Sequence, residues 1–175
     1  MCLKLRRRLM AIFTWHNGNV PQNLLVRQVY GAIFLKDGRM LLLFREKNGE
    51  KIYSLAGGTP EAFDNGMEQT LRRELIEEVN TTIHAPIPLG YQEVDEENGK
   101  PIYAQVRMVA MIDKIGERKP DPDNGKIYGR ILTHPKNAIK LLNWGTAGEL
   151  MINEAMRIAK LTLGLTEFLD KDEEI

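Results

Sequence analysis

The chain carries a single cysteine, Cys2, among 175 residues. One thiol excludes an intramolecular disulfide. The three histidines, His16, His84 and His134, are scattered, so a Cys/His zinc centre is excluded as well. So little cysteine fits a reducing cytoplasm, the location expected here. Long apolar runs are also missing: none approaches the roughly 18 residues of a membrane-spanning helix, and no membrane association is expected. There is no excess of either charge. The 24 Lys and Arg balance the 24 Asp and Glu, which leaves no global field to attract nucleic acid or an anionic bilayer. An anionic substrate must therefore be drawn in by local charges or by a bound cation. The start, Met1 to Phe13, places Arg6, Arg7 and Arg8 ahead of a short apolar run. That run is too short, and lacks the small-residue cleavage site, for a signal peptide. Residues 1–12 are expected to be disordered or an over-long start, with Met10 as the alternative beginning.

What remains is the composition of an ordinary globular protein, 43% hydrophobic and 27% charged, long enough to bury a core without disulfides or a structural metal. One domain over 1–175 is expected, with the acidic tail 170–175 frayed. Val26 to Lys36 is rich in β-formers, Asp37-Gly38 is a turn pair, and Met40 to Phe44 is a second apolar run, so the three read as a hairpin. Ile52 to Leu55 is a short strand that ends at Ala56-Gly57-Gly58. A helix then runs to Val79, with Asp64 or Asn65 as its cap and Asn80 as a left-handed stop. Strands are expected at Thr81 to Ile83, Leu89 to Val94, Ile102 to Ile115 and Lys126 to Leu132, and helices at Pro135 to Leu142 and from Thr146 onward. Strands and helices do not alternate. The expected fold class is therefore α/β (α+β): a layered domain around a mixed, mostly antiparallel sheet rather than a doubly wound parallel one.

The chemistry gathers on the first helix. Met67, Leu71, Leu75 and Val79 make one apolar stripe of four-residue steps. Glu74, Glu77 and Glu78 are spaced i, i+3, i+4 and lie on one flank. Glu78 falls near the core-facing side, where a carboxylate must be paired, neutralised or bound to a cation. Two carboxylates about 4 Å apart repel by about 4 kcal/mol at an effective dielectric of about 20. A divalent ion removes both penalties, and oxygen-only donors suit Mg2+ or Mn2+. The plain alternative is a solvated acidic face, with Arg72 and Arg73 as surface partners.

Arg73-Glu74-Leu75-x-Glu77-Glu78, preceded by Gly57-Gly58-x-x-Glu61, resembles the box of the Nudix hydrolase family, G-x5-E-x7-R-E-U-x-E-E-x-G-U with U a bulky aliphatic. The chain departs from it at Asn65, where the pattern's first Glu falls, in one extra residue after Gly58, and at Asn80 and Thr81 in place of Gly and an aliphatic. The resemblance implies an α/β/α sandwich and hydrolysis of a diphosphate linkage in a nucleoside diphosphate derivative. It also implies Mg2+ or Mn2+ held by Glu74, Glu77, Glu78 and the Gly57 carbonyl, with Arg73 orienting a glutamate. In such proteins the general base comes from the box, here Glu74, or from a later loop, here Glu96, Glu97, Glu117, Asp121 or Asp123. Arg45 is a candidate phosphate contact. Tyr30, Phe44, Tyr53, Tyr91, Tyr103, Tyr128 and Trp144 are candidates to stack on a base. The expected partner is a small nucleotide-like molecule, with no nucleic acid, for a monomer or homodimer. The alternative is a nucleotide-binding or regulatory module on the same fold with little activity. Isoprenoid diphosphate isomerisation would need a further protonating site, and Cys2 is poorly placed to provide one.

Overall fold

The computed structural model describes residues 11–175. The expected loose start and Cys2 lie outside the described residues, apart from positions 11 and 12. Among the described residues the strands are β1 (Ile12–Asn17), β2 (Leu25–Phe34), β3 (Met40–Lys47), β4 (Glu50–Ser54), β5 (Gly57–Gly58), β6 (Thr81–Asp95), β7 (Tyr103–Ile115), β8 (Gly129–Thr133) and β9 (Glu173–Glu174). The helices are α1 (Met67–Val79), α2 (Pro135–Leu142) and α3 (Gly145–Leu161). All the strands join one sheet in the order β1-β6-β7-β2-β3-β8-β9, with β4 on β3 and β5 on β2. The β2–β7 pairing is parallel and the others are antiparallel. The mixed, mostly antiparallel sheet is thus the expected one.

Period-two alternation sorts the side chains into two layers. Val29, Ile33, Leu41 and Leu43 face α1, where Leu71, Leu75 and Val79 close one core. Ala32, Phe34, Met40 and Leu42 face the other way and pack on Ala138, Leu142, Ile152 and Ala155 of α2 and α3. Each fully buried aliphatic contributes about 1.5–3 kcal/mol, so the stripe on α1 is enough to fix that helix flat on the sheet. Asn80 ends α1 in the left-handed conformation at φ 46°, as expected, and its amide donates to the Leu75 carbonyl. Arg130 reaches from β8 to donate to the carbonyls of Val79 and Gly116, both at 2.8 Å. A cation thereby lies at the negative end of the helix dipole.

Four expectations need correction. Ile12–Asn17, of which only Ile12 falls in the stretch expected to be loose and the rest has no expected element, is an edge strand paired from Ile12↔Asp95 to Asn17↔Gly90. Its polar, half-exposed sequence carries little signal of its own, and its ladder partner β6 supplies the order. The two strands expected at 81–83 and 89–94 are one strand, because ladder irregularities between His84 and Ile87 absorb Pro86, which has no N–H to give. The expected cap Asp64 or Asn65 is displaced: Gly66 occupies the cap position without a side-chain bond. The tail is not frayed. Glu173 and Glu174 pair with β8, and Glu173 binds the buried Arg39 at 2.7 Å, alongside Asp37 at 2.8 Å. Removing residues 170–175 leaves Arg39 with Asp37 alone and the β8 edge bare. We expect that truncation to lower stability, read as a reduced urea midpoint.

Candidate active site

The site forms where β5 delivers Gly57 and Gly58 against the acidic flank of α1. Close approach to backbone requires the first glycine, and the second lies tight against a side chain. Gly57 holds φ 147°, and a Cβ there would sit 2.1 Å from the Val29 carbonyl oxygen. A Cβ on Gly58 would lie 2.5 Å from the Glu74 carboxylate. The strand end is therefore pressed onto the helix, and the freed Gly57 amide donates to Glu78 Oε2 at 2.8 Å.

Arg73 organises the rest. Its Nη1 donates to Glu74 Oε1 and to Glu77 Oε2, both at 2.9 Å. Its Nη2 donates to the Thr59 carbonyl at 2.9 Å and to Asp64 Oδ2 at 3.0 Å, and its Nε reaches Asp64 Oδ1 at 3.2 Å. The two bonds to Asp64 form a bidentate pair. Asp64 also accepts from Thr70 Oγ1 and from the Glu61 amide. With these donors its carboxyl falls to about 2, the Arg73 hydrogen bond being the main cause. Arg73 thus ties the loop from Thr59 to Asp64 onto the helix and orients two of the three glutamates. Arg72, by contrast, makes an exposed pair with Glu68 at 2.9 Å.

Electrostatic stress concentrates on Glu78. Burial, then the neighbouring charges of Glu74, Asp121 and Glu77, push its pKa to about 7 against the relief given by the Gly57 amide. Glu74 is raised in the same direction, mainly by burial. As the side chains stand, no three acidic or imidazole groups among the described residues meet at one ion-sized point: Arg73 draws Glu74 and Glu77, and Gly57 draws Glu78. The donor set nonetheless suits a hard divalent ion. It comprises three carboxylates on one helix flank, two of them raised by burial, with a glycine cradle that leaves room for nothing larger than hydrogen beside Glu74.

Several expected contributors assemble here and others do not. Tyr30, Arg45, Tyr53, Tyr128 and Trp144 line a cleft of about 310 Å³ that ends on Gly57 and Glu78. Arg45 is exposed at its rim. Phe44 packs in the core on Tyr53, and Tyr91 stacks on His16. Tyr103 lies against Arg27 and bonds Glu96 at the far turn. Of the loop acids, Asp121 and Asp123 act on the charges of Glu78 and Glu74. Asp121 is buried, and its oxygens accept from the Asp123 amide and Asn124 Nδ2, so it holds its own loop together. Asp123 is exposed. Glu96 is bound by Asn98 within its own turn, and Glu117 meets Asn80 through its backbone. Asp64 as the anchor of Arg73 was missed. The available signal was the extra residue after Gly58, which puts an acid one place before Asn65.

The family model for the NUDIX domain matches residues 25–144. The chain belongs to the Nudix family. Solved structures with this Nudix fold include a variant of the Bacillus subtilis pyrophosphohydrolase BsRppH, at 16% identity and a TM-score of 0.64, covering 83% of this chain and 90% of that one. MutT, from a study of the Aliivibrio salmonicida and Vibrio cholerae proteins, matches at 16% identity and a TM-score of 0.55, covering 75% and 97%. The E. coli ORF135 protein matches at 17% identity and a TM-score of 0.53, covering 83% and 98%. No curated protein matches the chain. At such identities these likenesses establish the Nudix architecture, with its sheet between helical layers.

The depressed Asp64 carboxyl makes a pH prediction. A group whose folded pKa lies below its unfolded value near 3.8 stabilises the fold above that value. This contribution is lost as pH falls from about 4 to about 2. Asp64→Asn should cost roughly 1–3 kcal/mol at pH 7 and flatten the acid limb of the stability curve between those pH values, as measured by urea unfolding.

Proposed function

We propose that this Nudix protein hydrolyses a diphosphate linkage in a nucleoside diphosphate derivative, with Mg2+ or Mn2+ held by Glu74, Glu77, Glu78 and the Gly57 carbonyl. The observation that carries the reading is the placement of Glu74, Glu77 and half-buried Glu78 on one flank of α1 against the Gly57 strand end, at the foot of an aromatic cleft; burial and the neighbouring carboxylates raise the Glu78 carboxyl to about 7. A protein retains such crowding of like charge where a cation relieves it. When bound, the ion neutralises the diphosphate and lowers the pKa of a water.

The chain's own groups do the rest. The bonds of Arg73 to Asp64 and Thr59 hold it in place independently of Glu74 and Glu77, the carboxylates that would hold the ion. Glu74, buried and one turn before the other two, is the proposed acceptor of the water's proton; Asp123 is the loop alternative. Arg45, on the lining of the cleft, is the proposed phosphate contact, and Tyr30 and Trp144 are the proposed groups that exclude water from the linkage. The alternative, a binding module with little turnover, draws on Asn65, whose missing carboxylate removes a possible outer ligand. Against it stands the intact Arg73-Glu74-x-x-Glu77-Glu78 core.

The test is turnover over a panel of nucleoside triphosphates, nucleotide sugars, ADP-ribose and dinucleoside polyphosphates, with products resolved by mass. Chelation should stop hydrolysis and added Mg2+ restore it. Glu77→Gln and Glu78→Gln should each lower kcat by at least about 100-fold with the fold retained by circular dichroism. Wild-type rates in both variants would overturn the assignment, and binding without turnover in the wild type would favour the module.

A further inference from the structure

Three cations gather at the open end of the β3–β8 ladder, and the site above uses only one of them, Arg45. The ladder stops at Phe44↔Gly129, so Arg45 and Tyr128 are the next residues on the two chains. A groove of about 500 Å³ there is lined by Phe44, Arg45, Glu46, Arg118, Lys126 and Tyr128. Arg45, Arg118 and Lys126 are exposed, and their side chains form no ion pair among the described residues. Glu46, the carboxylate on the same lining, has Lys51 as its ladder partner. The groove therefore holds an excess of positive charge on a chain whose net charge is zero. Arg107 of β7 differs: it is 2% exposed and gives Nη2 to Gln92 at 2.8 Å and to Gln105 at 3.0 Å.

The loop that carries Arg118 and Lys126 is tied at both ends. Asn80 Nδ2 donates to the Glu117 carbonyl at 2.8 Å, and the Gly116 amide donates to the Asn80 carbonyl at 2.8 Å. These bonds fix the chain directly before Arg118. Farther on, the Asp121 amide donates to the Lys126 carbonyl at 2.8 Å and the Gly125 amide to the Asp121 carbonyl at 2.7 Å. The loop closes on itself, and both cations line one groove. Asn80 stands where the Nudix pattern has glycine, which has no side chain to reach Glu117. Charge held in this way is opposed: Arg118 adds to burial in pushing the pKa of Arg130 down. An anion in the groove would offset that repulsion.

We propose that Arg45, Arg118 and Lys126 bind a chain of phosphate groups in this groove, with Asn80 as the residue that positions Arg118. Guanidinium forks match phosphate oxygens, and an ammonium adds a point charge beside them. Three separate cations suit several linked phosphates better than a single one. Arg45 and Tyr128 also line the cleft at Gly57 and Glu78, and the charges of Glu78 and Arg45 both act on the Tyr128 hydroxyl. Arg45 is thus common to groove and cleft. The phosphate chain is either carried by the substrate, outside the diphosphate that is cut, or a free polyphosphate that competes for Arg45. Only the first source rests on the hydrolase reading.

The experiment is calorimetric titration of tripolyphosphate, inorganic phosphate and citrate in excess chelator. The proteins are wild type, the double variant Arg118→Gln/Lys126→Gln, Asn80→Gly, and Lys136→Gln on α2, beyond the other end of the ladder. Wild type should bind tripolyphosphate at least about tenfold more tightly than phosphate or citrate. The double variant should lose at least about tenfold of that affinity while unfolding at a similar temperature. Asn80→Gly, which keeps the left-handed helix stop, should weaken binding alone and add nothing to the double variant. Lys136→Gln should bind as wild type does. No binding, equal affinity for citrate, undiminished affinity in the double variant, or an equal loss in Lys136→Gln would overturn the proposal. A loss from Asn80→Gly that adds in full to the double variant would overturn the positioning role. With Mg2+, a fall of about tenfold in kcat/KM for a nucleoside triphosphate relative to a nucleotide sugar in the double variant identifies the substrate's own phosphates as the ligand. An unchanged ratio identifies free polyphosphate. A chain that binds tripolyphosphate yet hydrolyses nothing sinks only the hydrolase reading. Hydrolysis without tripolyphosphate binding sinks only this one.

Discussion

The site depends on one guanidinium with five hydrogen bonds. Arg73 is the point where a loop without regular structure, Thr59 to Asp64, is fastened to the helix that carries the glutamates. Lysine could not replace it, because a single ammonium cannot hold a bidentate carboxylate, a backbone carbonyl and two further carboxylates in one plane. The pair with Asp64 is the part that makes Arg73 a fixture. Asp64 is itself held by Thr70 and the Glu61 amide, so the guanidinium stays anchored whatever Glu74 and Glu77 do. An anchored cation beside these carboxylates keeps the acidic side chains together.

The fold makes that arrangement possible by pressing β5 against α1. The apolar stripe Leu71, Leu75 and Val79 fixes the rotation of the helix on the sheet. Once it is fixed, Glu74 and Glu78 have no choice but to point into the seam between helix and strand end. Gly57 then permits an approach to the β2 backbone that any side chain would block, and Gly58 lies directly against the Glu74 carboxylate. The raised pKa of Glu78 is a consequence of core packing: hydrophobic burial of the stripe provides the free energy that holds a carboxylate where it would rather be neutral.

The sequence made much of this legible because helical periodicity carries both messages at once. Apolar four-residue steps showed the buried face, and acids at i, i+3, i+4 showed the flank beside it. The β2–β3 hairpin was legible from Asp37-Gly38 between two apolar runs. What escaped notice shares a physical cause, a partner remote in sequence. β1 is polar and ordered by β6; the tail is ordered by Arg39 and β8; Asp64 reads as a helix cap until Arg73 is seen folded back onto it. Arg107 drew no attention because a lone arginine in a β-rich run has no pattern around it. Its importance lies in what the fold withholds, a carboxylate partner.

Arg107 and Glu78 are therefore best considered together. Arg107 is buried and Glu78 half-buried, they are of opposite sign, and they border two spaces that share Tyr30, Ser54 and Trp144 as lining. Had the fold needed only stability, pairing them or replacing both by apolar groups would have been cheaper. Kept apart, they polarise the cleft from end to end. The carboxylate end calls for a cation and whatever anion that cation carries. The guanidinium end calls for an acceptor, since Arg107 is buried with only amide oxygens and ring faces around it.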